Sequence, residues 1–182
     1  MGIEDVYGII HKIAEGFEDE CMKCLETHSD IIVDAIREQL DAGIDGNGVA
    51  LSPTYLEDDY FSSRETPWVR QDEETGKTYV GAQGYRDWKK EITPPEQGTM
   101  LGLPPRSADV PNLRINGKFH DEINAKRVKD SIIVDPGNGD GPEIIRKYSD
   151  SILDMSPTAI EYFNEKIMLP TIDMFFKKCG YK

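Results

Sequence analysis

"DAGIDGNGVALSPTY", residues 41–55, offers two incompatible readings, and the choice decides whether ligand chemistry or architecture should be sought. Asp45-Gly46-Asn47-Gly48 has the oxygens and glycines of a calcium loop. With Gly48 as the sixth-position glycine, position one falls on Gly43 and position twelve on Thr54. A calcium loop of the EF-hand type needs an acid first and a bidentate Glu last, and both are missing. Asp-Gly followed by Asn-Gly is also a strong signal for a tight turn, because both pairs tolerate positive φ. The stretch therefore reads as a turn, with "QLDAGI" and "VALSP" expected as two short antiparallel strands.

Upstream lies a long amphipathic helix. Val6, Ile9, Ile10, Ile13, Phe17, Cys21, Cys24 and Leu25 recur at steps of three and four, with acids between them. Such a stripe fits either the core or a neighbouring subunit. From Asp30 to Leu40 the apolar residues suit a helix that runs out into a strand near Gln39.

Downstream, residues 52–110 change in kind. Six prolines and five glycines punctuate the stretch from Ser52 to Val110, and its aromatics keep no period. A segment this long, poor in regular elements and rich in rings, is expected to be an extended arm that orders against a partner. Only "YRDWKKEIT", residues 85–93, suggests a short helix. Beyond it, "LRINGKFHDEINAKRVKDSIIVDP" (113–136) suggests a strand through Leu113 and Ile115, a turn at Asn116-Gly117, and a hairpin turning at Lys129-Asp130. "DPGNGDGPE" (135–143) reads as a connection; it fits neither GxGxxG nor a Walker loop. The last helix has Ser156 as N-cap, Pro157 in its first turn, Pro170 as a kink or break, and Gly180 as its stop.

The bulk numbers narrow the function classes. In 182 residues, 38% are apolar and 30% charged, which suits one soluble domain. The net charge of −13, from 34 acids and 21 bases, argues against a nucleic-acid grip, which needs a cationic footprint. No apolar run is long enough to span a membrane, and the N-terminal stretch lacks the pattern of a signal peptide, so a cytoplasmic site of assembly is expected. The three cysteines (Cys21, Cys24 and Cys179) form neither a disulfide framework nor a four-ligand zinc pattern. His11, His28 and His120 are scattered, and neither GxSxG nor HExxH occurs. No catalytic, metal or cofactor residues are assigned, and the chain is not expected to be an enzyme.

The ordered pieces resemble the tail-completion and head-to-tail joining proteins of tailed bacteriophages, most of all the neck ring proteins of crAss-like phages. In that family a segment "P-x-L-x-x-T-G-x-L-x-x-S-I" precedes a β-hairpin. Pro111, Leu113, Asn116, Gly117, Phe119 and Ile123 follow that form, with Asn116 in place of Thr, Phe119 in place of Leu and Glu122-Ile123 in place of Ser-Ile. Lys147-Tyr148-Ser149 is similar to the family's "Y-A/G" step before the last helix.

The resemblance implies an α+β fold, a small curved antiparallel sheet packed with an N-terminal and a C-terminal helix. It also implies a ring of about twelve identical copies in the virion neck, matching the portal and touching it and the adjacent rings. DNA would pass through the lumen without specific binding, and assembly would take place in the bacterial cytoplasm. Residues 1–182 form a single domain on this reading, with 52–110 inserted as the arm. Tyr55, Tyr60, Phe61, Trp68, Tyr85 and Trp88 of the arm, with Leu113, Ile115 and Phe119, are the expected subunit-interface residues. The competing expectation is a small acidic binding module, an adaptor or host-directed inhibitor, acting as monomer or dimer on a basic partner.

Overall fold

A computed structural model describes residues 2–181. Helix α1 (Ile3–Thr27) and helix α2 (Ser29–Asp41) follow one another, separated by His28. Helix α3 (Asp59–Ser62), strands β1 (Val69–Gln71) and β2 (Thr78–Val80), and helix α4 (Gly81–Ile92) come next. The second half holds helix α5 (Lys118–Glu122), strands β3 (Asn124–Val128) and β4 (Ser131–Asp135), and helix α6 (Gly141–Tyr148). A 3₁₀ turn (Asp150–Leu153) leads to helix α7 (Pro157–Phe163), a π turn (Asn164–Met168) and helix α8 (Leu169–Cys179).

The class is α+β, and both ladders are antiparallel: β1 with β2, and β3 with β4. They are separate two-stranded ladders, where the resemblance implied one small curved sheet. The β3–β4 hairpin turns at Lys129-Asp130 as expected, with Val128 opposite Ser131 and Lys129 at φ 55°.

Helix α2 organises the main core. Its Ile32, Val33, Ile36 and Leu40 meet Leu51, Phe119, Ile123, Ile152, Leu153 and Phe163. The expected strand near Gln39 is absent, because the helix continues to Asp41. Gln39 is fully buried there. Its amide N–H donates to the Asp154 carbonyl at 2.6 Å, and its oxygen accepts from the Ser156 backbone at 3.0 Å. Those two bonds join α2 to the N-terminus of α7, where the Ser156 hydroxyl caps Ala159. Pro170 sits in the first turn of α8, just past the π turn, so the missing donor falls where the ladder is already irregular. Gly180 ends the chain's last helix in the left-handed conformation, φ 104°.

The stretch 41–55 is a turn, but not between two strands. A single bridge, Ile44 to Ala50, closes it. Asp45 ties the tip: one carboxylate oxygen accepts from the Asn47 and Val49 backbones, the other from the Asn47 amide and the Ser151 hydroxyl. Those bonds hold the Asp45 carboxyl below its ordinary pKa even though partial burial pushes the other way. Gly48 takes the positive φ the turn needs, 75°. Gly46 is required for a different reason, since a Cβ there would lie 2.4 Å from the Asp154 side chain and 2.7 Å from the Ser151 carbonyl.

Two further expectations change. Residues 111–117 form no strand; Leu113 is at φ 55°, and Gly117, at φ 82°, launches α5. The 135–143 connection is shorter than expected, because Gly141, Pro142 and Glu143 already belong to the first turn of α6.

Candidate interaction surface

Segment 52–110 is not an extended arm. It folds on itself around a small aromatic core of Tyr55, Tyr79, Tyr85 and Trp88, with Phe61 and Trp68 packed against it. The β1–β2 hairpin turns Tyr79 inward, and α4 brings Tyr85 and Trp88 to the same side. Gly84 allows the approach: a Cβ there would lie 2.8 Å from the Tyr79 backbone. Phe61 stacks on Tyr85 at 3.7 Å between centroids, and Trp68 meets Tyr85 edge-on at 4.8 Å. Arg70 lies over Trp88 at 4.5 Å. Rings that satisfy one another this way stabilise the lobe beyond their buried area.

This settles where the nine expected interface residues stand. Tyr55, Tyr85 and Trp88 are interior to the lobe, and Phe119 is interior to the main core. Phe61, Trp68 and Leu113 are half-buried. Only Tyr60 and Ile115 are exposed, at 69% and 61%. The sequence overstated the arm's availability because ring-rich composition cannot distinguish rings that wait for a partner from rings that stack on each other.

A seam of buried charge joins lobe to core. Lys89, on α4 and 1% exposed, donates its ammonium proton to the Arg114 carbonyl. Burial, reinforced by the neighbouring Arg106 and Arg114 and opposed by Asp41, lowers the Lys89 pKa to about 7. Arg106, also buried, donates to the carbonyls of Thr93 and Val110 at 2.7 and 2.9 Å. Arg114 grips Asp41 through two 3.0 Å bonds and donates to His120 Nδ1 at 3.1 Å. A guanidinium only donates, so Nδ1 must accept, and the His120 proton sits on Nε2, which donates to the Asn112 carbonyl at 2.8 Å. Burial accordingly pushes the His120 pKa down and keeps the ring neutral.

Beside this seam a cleft of about 560 Å³ runs between α2 and the 93–100 loop. Of its charged wall residues, Asp34, Arg37, Glu38, Asp41 and Arg114 are already partnered. Arg37 donates to the His120 and Ile123 carbonyls, Asp41 holds Arg114, and Glu38 accepts from the Met100 and Leu101 backbones at 2.7 Å. The arrangement braces the loop against α2. Among the described residues no group of three His, Cys, Asp or Glu side chains could hold a metal ion, and no helix is long and apolar enough to cross a membrane.

The surface that lacks a partner lies elsewhere. Helix α1 packs one edge on α8: Cys24 meets Thr171, Gly16 sits against Phe175, and Ile9 against Gly180. Next to that edge runs a second line at alternating steps of four and three, Ile3, Tyr7, Ile10 and Ala14, which ends at Phe17, where the ring meets Phe176 of α8 at 6.1 Å between centroids. This is the spacing of a helix–helix seam. Ile3 is 87% exposed, Tyr7 72% and Ile10 60%. Only Met22 and Cys24 of the whole helix are buried. The spacing was present in the sequence, but it merged there with the line that α8 covers.

Comparison of the chain with protein-family models, with curated proteins and with solved structures finds no match in any of the three.

Proposed function

We propose that this chain is a structural subunit of a tailed-phage virion, assembling as a ring of identical copies in the head-to-tail connector around the DNA channel. The observation that carries the reading is the bare apolar line on α1. A helix that presents such a line to water along its N-terminal half is made to be covered by another protein. The resemblance of Pro111, Leu113, Asn116, Gly117, Phe119 and Ile123 to the neck ring segment supplies the setting. The net charge of −13 suits a lumen that DNA passes without sticking, since like charge repels phosphate. Neighbouring copies, the portal and adjacent neck rings are the partners on this reading, and the virion neck is its place.

The test mixes the purified chain with a portal assembly or an adjacent neck ring and examines the mixture by electron microscopy and native mass. A closed, high-copy ring is the expected result. A persistent monomer with no affinity for either overturns the reading, and a one-to-one complex with a basic protein partner would replace it with an acidic binding module.

A further inference from the structure

We propose that the bare line on α1 of one copy is covered by the outer face of α8 of the next copy, in a head-to-tail contact; this rests on the ring reading above. Two observations select that occupant. The first is charge. Helix α1 carries seven acids against two lysines, and Glu4, Glu15 and Glu18 are exposed on it, Glu4 one turn from Tyr7, Glu18 one turn from Ala14, and Glu15 paired with His11 at 3.1 Å. Helix α8 carries Lys177 and Lys178 against one acid, Asp173, which Lys177 pairs at 2.6 Å, so the helix keeps a net positive charge at Lys178. Two α1 helices brought together would set acid against acid, whereas α1 on α8 sets acid against lysine.

The second observation is that α8 is also incompletely covered. Thr171 and Phe175 face α1 within the chain, which leaves Leu169 and Met174 bare at 58% and 63% exposure. Met174 has Lys177 and Lys178 as near neighbours along the helix. One helix thus offers an apolar line flanked by acids, and the other offers an exposed Met174 flanked by bases. Each copy bears both, on different helices, so one contact leaves a free α1 at one end and a free α8 at the other. Repetition of such a contact closes into a ring when the rotation per copy is right.

The experiment measures assembly of the full chain by native mass and sedimentation, with far-ultraviolet circular dichroism as a folding control. Wild type is expected to form species larger than a dimer, and Ile10→Asp to abolish them. Reversing the basic side (Lys177→Glu with Lys178→Glu) should weaken association by about tenfold or more, as should Glu15→Lys with Glu18→Lys. All four changes in one chain should restore it to within about threefold of wild type, because the contact is then acid-to-base again with the signs exchanged.

Reversals that assemble as wild type does, or a fourfold variant that stays as weak as either pair, overturn the proposal. A closed dimer overturns the head-to-tail geometry. If wild type alone stays monomeric, the α1–α8 contact is wrong, while ring formation on a portal assembly still decides the broader reading separately. If wild type forms rings that ignore every charge reversal, the broader reading survives and this contact does not.

Discussion

Helices α1 and α2 stand in sequence with one residue between them, carry the same kind of apolar repeat, and meet opposite fates. Helix α2 buries Ile32, Val33, Ala35, Ile36, Gln39 and Leu40 within 13 residues. Helix α1 buries Met22 and Cys24 within 25. The difference lies in what returns to pack on them. Strand β3, helix α7 and the 3₁₀ turn all come back to α2, whereas α8 and the π turn before it cover one edge of α1, and β4 touches it. An amphipathic repeat therefore specifies a face, while the path of the remaining chain decides how much of that face stays wet.

The comparison breaks most directly in the core. Ile36→Ala should lower the unfolding free energy by about 3 kcal/mol, because Ile36 is fully buried and its loss leaves a cavity. Ile10→Ala should change the monomer by less than about 0.5 kcal/mol, as expected of an exposed position. Urea denaturation compares the two; equal losses would mean that α1 is covered in the monomer after all.

A somewhat smaller loss is expected at Gln39. Gln39→Leu keeps the volume but strands the Asp154 carbonyl and the Ser156 N–H, at about 2 kcal/mol. A neutral result would show that the join between α2 and α7 is apolar in origin.

A pH slope, rather than a single loss, sharpens the join between lobe and core. Unfolded, Lys89 keeps its proton up to its ordinary value of 10.5, and folded only to about 7. Between those limits the unfolded chain binds more protons, so stability rises with pH, and the full cost of burying the charged form is present below pH 7. Lys89→Met should flatten that rise between pH 7 and 9, read from denaturation midpoints across the range. A slope identical to wild type would remove Lys89 as its source. The slope is the useful readout, since the variant also leaves the Arg114 carbonyl without its donor.

Much of the local structure was legible in the residues. The start of α7 at Ser156-Pro157, the stop at Gly180, the hairpin turn at Lys129-Asp130 and the helix within residues 85–93 all follow from caps, prolines, glycines and alternation. These signals act over four or five residues, so sequence contains them whole. The lobe was not legible. Tyr55, Phe61, Tyr79, Tyr85 and Trp88 are brought together by a hairpin and a helix rather than by any period, and the Arg114–Asp41 pair spans 73 positions. His120 could be seen as a lone histidine, but its neutral tautomer depends on Arg114 and Asn112 being folded around it.

The stretch 41–55 shows where the division falls. Its sequence determined that the chain must turn there and that no EF-hand ligand set is present, because missing acids and the φ demands of glycine are local facts. The tertiary structure alone decided that Leu40 and Asp41 end a helix, that Gly46 makes room for residues 151–154, and that Asp45 reaches Ser151. Burial and steric approach depend on residues more than a hundred positions away, and no local pattern encodes which of them will arrive.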